Sequence, residues 1–120
     1  MTKKTLPDGT VIEESCTFKV VVPNHITSNK IYFTIVGDQQ NPHAFFINCK
    51  DIKTFEWLTV LMTSFSRQIG AGIPIANIIA DMKEAFDPNG KYIIPDGTGR
   101  EVNSLVHHLG LILESYVGAQ

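Results

Sequence analysis

The sequence predicts an α+β fold, with an N-terminal antiparallel β-meander and C-terminal helices packed on one face of it. Three observations predict this. Apolar residues recur at every second position up to about residue 50. Beyond that point they recur at steps of three and four, the period of a helix. The links between the early strands are short, and short links make antiparallel neighbours, because parallel ones need a long crossover. Strands followed by helices place the helices on one side of the sheet. The 120 residues fit a single domain. It divides into an arm over 1–14, a sheet over 15–50, and a helical part over 51–118 with a short hairpin at 91–96.

The arm is polar, and Leu6, Pro7, Asp8 and Gly9 inside it signal a turn, so it reads as a lead-in segment or short hairpin. Residues 15–22 form a strand, with Phe18, Val20 and Val22 on one side, and Pro23 ends it. A loop over 23–29 leads to a second strand over 30–36, rich in β-branched and aromatic residues. There Ile31, Phe33 and Ile35 face one way, and Tyr32, Thr34 and Val36 the other. A polar loop over 37–42 precedes a third strand over 43–49. Phe55, Leu58, Met62, Phe65 and Ile69 then make the stripe of a first helix, widened by Trp57, which reads as core. Gly70, Ala71 and Gly72 stop it. Pro74 opens a second helix with a stripe of Ile75, Ile78, Ile79, Met82 and Phe86. Asp87, Pro88, Asn89 and Gly90 end that one. Thr98 and Glu101 have the spacing of a capping box for a third helix, striped by Val102, Leu105, Leu109, Leu113 and Tyr116.

Composition narrows the functions. Charged residues are 18% of the chain, against roughly 25% in an average protein. The net charge of −2 excludes a basic nucleic-acid coat and a polybasic membrane binder. No apolar run approaches the ~18–20 residues of a membrane span, and the N-terminus lacks a signal-peptide pattern. Two cysteines, Cys16 and Cys49, read as free thiols in a reducing, cytoplasmic setting. The low charge and the apolar groups on both faces of the middle strands predict a homo-oligomer formed through the sheet.

No catalytic or metal-binding motif is present, so the chain reads as a binder with no cofactor rather than an enzyme. His107 and His108 are adjacent, and on a helix they point about 100° apart, which is wrong for joint chelation. The polar cluster is the stretch 86–104. Phe86 and Tyr92 offer ring faces on which a base could stack. Asn89, Gly90, Lys91, Arg100, Asn103 and Ser104 gather around two helix ends. Gly97, Thr98 and Gly99 lead toward a helix N-terminus, whose free N–H groups favour an anion. Two readings stay open: a nucleotide or phosphate pocket, or two ordinary turns with a helix cap. Arg67, late in the first helix, either joins that anion site or a subunit contact, or is a solvated residue favoured near a helix C-terminus.

Several pieces together carry a family resemblance. They are Leu6, Pro7, Asp8; Phe18, Lys19, Val20; residues 30–35; residues 46–50; residues 69–74; the run Phe86, Asp87, Pro88, Asn89, Gly90, Lys91, Tyr92; and Ser104, Leu105, Val106. In this order they resemble the TSCPD-type domain found at the C-terminus of cobalamin-dependent (class II) ribonucleotide reductases and as stand-alone proteins. The catalytic barrel and its radical-site cysteines are absent from this sequence. The resemblance therefore implies an oligomeric, nucleotide-associated module without its own reaction, or an accessory module that docks on a reductase subunit. Size and organisation also resemble the phage sponge proteins of the Thoeris anti-defence type. That likeness implies sequestration of a cyclic ADP-ribose-type immune signal in the host cytoplasm.

Overall fold

A computed structural model describes residues 3–27 and 30–118, with side chains from residue 5 onward. Met1 and Thr2 of the arm, Ser28 and Asn29 of the 23–29 loop, and Ala119 and Gln120 lie outside the described residues. The architecture is α+β. The arm is a hairpin of β1 (Lys3–Thr5) and β2 (Val11–Glu13), turned at Gly9 with φ +92°. β3 (Ser15–Val20), β4 (Ile31–Val36) and β5 (Ala44–Cys49) form an antiparallel sheet in the order β3-β4-β5. Its register sets Phe18 opposite Phe33 and Phe33 opposite Ile47 on the inner face.

The alternation read from the sequence becomes two different faces. Val20, Ile31, Phe33, Ile35, Phe45 and Ile47 are buried, and the helices cover this side. The outer face is mixed. The Thr17 and Thr34 hydroxyls hydrogen-bond across the strands at 2.9 Å, and Tyr32 pairs with Lys19 and Asn48. Tyr32 and Val36 are half-buried, while Phe46 is 58% exposed. The free edge of β5 is occupied: the Phe45 N–H donates to the Ser66 hydroxyl at 2.9 Å, which fastens a helix to the strand.

That helix is α1 (Ile52–Gly70), capped by the Asp51 carboxylate, which accepts from the Thr54 N–H. It buries Leu58, Met62 and Phe65. Gly72, at φ +95°, turns the chain after it. α2 (Ile75–Lys83) buries Ile78, Ile79 and Met82. A second hairpin, β6 (Tyr92–Ile93) with β7 (Glu101–Val102), precedes α3 (Leu105–Gly118). α3 is buried on two sides. Leu105, Leu109 and Leu113 enter the main core beside α1, α2 and the sheet. Leu111 packs with Tyr92 and Val102 in a smaller cluster under the second hairpin. Among the described residues no helix is long and apolar enough to cross a membrane.

Three sequence expectations are corrected. Trp57 is 48% exposed rather than core, because it lies about 100° around α1 from the buried Leu58. α2 stops at Lys83, short of Phe86. The Asp87 N–H bonds to the Asn103 carbonyl at 3.1 Å, outside the helical ladder. α3 begins at Leu105, not near Thr98, and the hairpin runs on past residue 96 to Val102. Pairing of Tyr92 with Val102 and Ile93 with Glu101 holds those residues extended. The Thr98 and Glu101 box therefore does not form.

α2 and α3 meet closely at Gly110, where an added Cβ would lie 2.8 Å from the Cβ of Met82. Neither contact point is the far end of a flexible chain, so the helices must separate to admit a methyl group. Gly110→Ala is therefore expected to destabilise the fold by about 1–3 kcal/mol, read as a lowered denaturant midpoint. An unchanged midpoint would show that the two helices are not in contact there.

Candidate functional site

The turn over 85–90 is held by two local bonds. The Asp87 carboxylate accepts from the Asn89 N–H at 3.0 Å, and the Gly90 N–H donates to the Asp87 carbonyl at 2.9 Å. Gly90 is buried, and a Cβ there would stand 2.7 Å from the Asp87 Oδ2. Any larger residue would push that carboxylate out of place. Pro88 keeps the segment from continuing α2.

The turn is fastened to the start of α3 by Ser104. Its hydroxyl donates to the Ala85 carbonyl at 2.8 Å and accepts from the His107 N–H at 3.0 Å, the second bond being an N-cap. The His107 Nδ1 returns the contact by accepting from the Asn103 N–H at 3.0 Å. Together the two bonds tie the first turn of α3 back to residues 103 and 104. Asn103 also holds the turn through its carbonyl, as described above.

Fastened in this way, the turn closes one side of a cleft of about 480 Å³. Phe86, Asp87 and Asn89 line it from the turn, and Ser104, Leu105 and Val106 from the start of α3. Thr54 and Trp57 line it from α1, and His25 from the loop after β3. Trp57 and Phe86 remain 48% and 58% exposed, so two large aromatic rings stand open to solvent on one concavity. The Lys91 Nζ sits 5.2 Å from the Phe86 ring centroid, a cation–π contact.

The residues singled out from the sequence do not form one site. Phe86, Asn89, Gly90 and Ser104 line the cleft, with Lys91 against the Phe86 ring and Asn103 behind Ser104. Thr98 and Arg100 line a separate cavity of about 640 Å³, with Phe18, His108 and Tyr116. Gly97 and Gly99, at φ +84° and +76°, turn the second hairpin and do not lead into a helix, so the expected N-terminal anion site is absent there. The Asp96 carboxylate accepts instead from the Thr98 N–H and hydroxyl, at 2.9 and 2.6 Å. Those bonds hold the Asp96 carboxyl below its ordinary range. Arg67 lines a groove at the far end of α1 with Thr63 and Gln68.

Tyr92 is the clearest correction. It is 4% exposed, so its ring faces are not open to a base. Its hydroxyl lies 2.7 Å from the His108 Nδ1, and the rings meet edge-on at 5.7 Å. The buried phenol and the His108 ring thereby satisfy each other across one hydrogen bond. The cleft also takes Trp57, which the sequence assigned to the core, His25, which reads as a solvated loop residue, and Thr54 and Asp87, which it did not single out. The signal for Trp57 was its helical phase, one position off the buried stripe.

Among the described residues no three histidines, cysteines or carboxylates gather as a metal site. Comparison with family models, curated proteins and solved structures finds no match.

Both adjacent histidines resist protonation. Burial, outweighing the opposing pull of Asp96, lowers the His108 pKa below the ordinary 6.5. Burial, then the charges of Arg100 and Lys83, lowers that of His107. As pH falls below 6.5, the unfolded chain takes up protons that the folded chain refuses, so stability falls. Thermal melts at pH 7.5, 6.5 and 5.5 are expected to show a midpoint that drops over the last step. His108→Gln should flatten that drop. A midpoint independent of pH over this range would contradict the lowered pKa values of His107 and the buried His108.

Proposed function

We propose that the chain is a non-enzymatic binding module for a nucleotide-derived ligand whose ring lies in the cleft beside Phe86. The observation that carries the reading is the pair of exposed rings, Trp57 and Phe86, lining one concavity together with Asn89. Aromatic faces stack on any base, and an amide supplies a donor and an acceptor to a ring edge. Lys91, at the Phe86 ring, is positioned to meet a phosphate outside the cleft. The Ser104 hydroxyl is occupied on both sides by the fold, which favours binding over nucleophilic chemistry. The resemblance to sponge-type proteins extends the proposal to sequestration of a cyclic ADP-ribose-type signal by a homo-oligomer in a phage-infected cell.

A second reading, an accessory module of a cobalamin-dependent reductase, is favoured by a different observation. The arm carries Leu6, Val11 and Ile12 exposed, as an arm that docks on another protein would.

Titration calorimetry with linear and cyclic nucleotides, including cyclic ADP-ribose isomers, tests the first reading. A ligand is expected, and Phe86→Ala or Trp57→Ala should each weaken it by about 1–3 kcal/mol, the range for loss of a stacking ring. The absence of heat with every nucleotide would overturn it. A pull-down of a reductase subunit would support the second.

A further inference from the structure

The cleft has a sign. Among the described residues that line it, histidine aside, the one charged side chain is Asp87. No lysine or arginine lines it. Asp87 uses Oδ1 to accept the Asn89 N–H, and no hydrogen bond from the described residues reaches Oδ2. Trp57 and Phe86 add the electron-rich faces of their rings. The Phe86 face already draws the Lys91 ammonium to 5.2 Å from its centroid. A carboxylate beside two open aromatic rings attracts a cation of low hydration, and it outweighs at the rings the partial positive end of α3, which lines the other side of the cleft.

Resting on the reading of this cleft as the ring site, we infer that it selects a positively charged heteroaromatic ring: a base or pyridine alkylated or glycosylated on a ring nitrogen. Such a ring stacks like a neutral base, and in addition places its charge against Trp57, Phe86 and Asp87. The phosphates of the same molecule then lie outside, toward Lys91, which surrenders the Phe86 face to the ring. The arrangement also accounts for where the arginines stand. Arg67 and Arg100 line other cavities, and neither would oppose a cation here.

Matched probes test this on the native chain: 1-methyladenosine against adenosine, and 1-methylnicotinamide against nicotinamide, by calorimetry or ligand-observed NMR. The first member of each pair is cationic at neutral pH. It is expected to bind about two- to fivefold more tightly than its neutral partner, the scale of a cation–π contact at an exposed site. Asp87→Asn keeps an oxygen to accept the Asn89 N–H, and should shrink the ratio of cation to neutral-probe affinity. A thermal melt accompanies the variant to show that it is folded. Neutral probes binding as well as or better than the cations would overturn the inference while leaving the cleft as a base site. Binding of no probe would overturn both.

Discussion

The hydroxyl of Ser104 joins the turn after α2 to the start of α3. It donates to the Ala85 carbonyl beyond α2 and accepts from the His107 N–H in the first turn of α3. Ser104 is itself buried. Without the hydroxyl, the Ala85 carbonyl and a helix N–H would each lose a partner, and such losses cost about 1–3 kcal/mol when the group cannot reach water. The turn over 85–90 carries Phe86, Asp87 and Asn89, all on exposed positions with little packing of their own. Their placement opposite Trp57 therefore rests on the two ties to residues 103 and 104 rather than on burial.

Those ties work because α3 is fixed. Its mean hydropathy is high, and apolar residues surround it, as suits a helix with core on two sides. One side holds α2 through the bare backbone of Gly110, and the other holds the second hairpin through Leu111. The buried bond between Tyr92 and His108 crosses from the hairpin to the helix. A buried polar pair is stable only while both members are satisfied, so the hairpin is held in one register on α3. The hairpin then lines the cavity of Arg100 and His108 and not the cleft.

Much of the fold was legible in the residues. Burial alternates along the strands over 15–20, 31–36 and 44–49, although their outer faces also carry apolar residues such as Val36 and Phe46. Leu58, Met62 and Phe65 marked the inner stripe of α1 in the same way. The start of α3 was harder to read. Val102 fits the helical stripe by spacing, yet cross-strand pairing with Tyr92 makes it part of a hairpin, and pairing partners ten residues apart leave no local signal. The site was half legible. Phe86, Asn89, Gly90 and Ser104 share a neighbourhood along the chain, and the fold keeps them together. Arg100 and Thr98 are as near in sequence, but the hairpin places them at a different cavity. Trp57 comes from nearly thirty residues upstream and joins the cleft only through packing of α1 on the sheet.

The chain has one tryptophan, and it lines the cleft, so its fluorescence reports on the site with no competing signal. The direct measurement is Trp57 emission during titration with a bound nucleoside, in the native chain and in Ser104→Ala. The account predicts a change on binding in both, with about tenfold more ligand needed by a variant that remains folded, the equivalent of one lost buried hydrogen bond. Equal titration curves for the two proteins, or emission that ignores a ligand shown by calorimetry to bind, would contradict the latch and the cleft it builds.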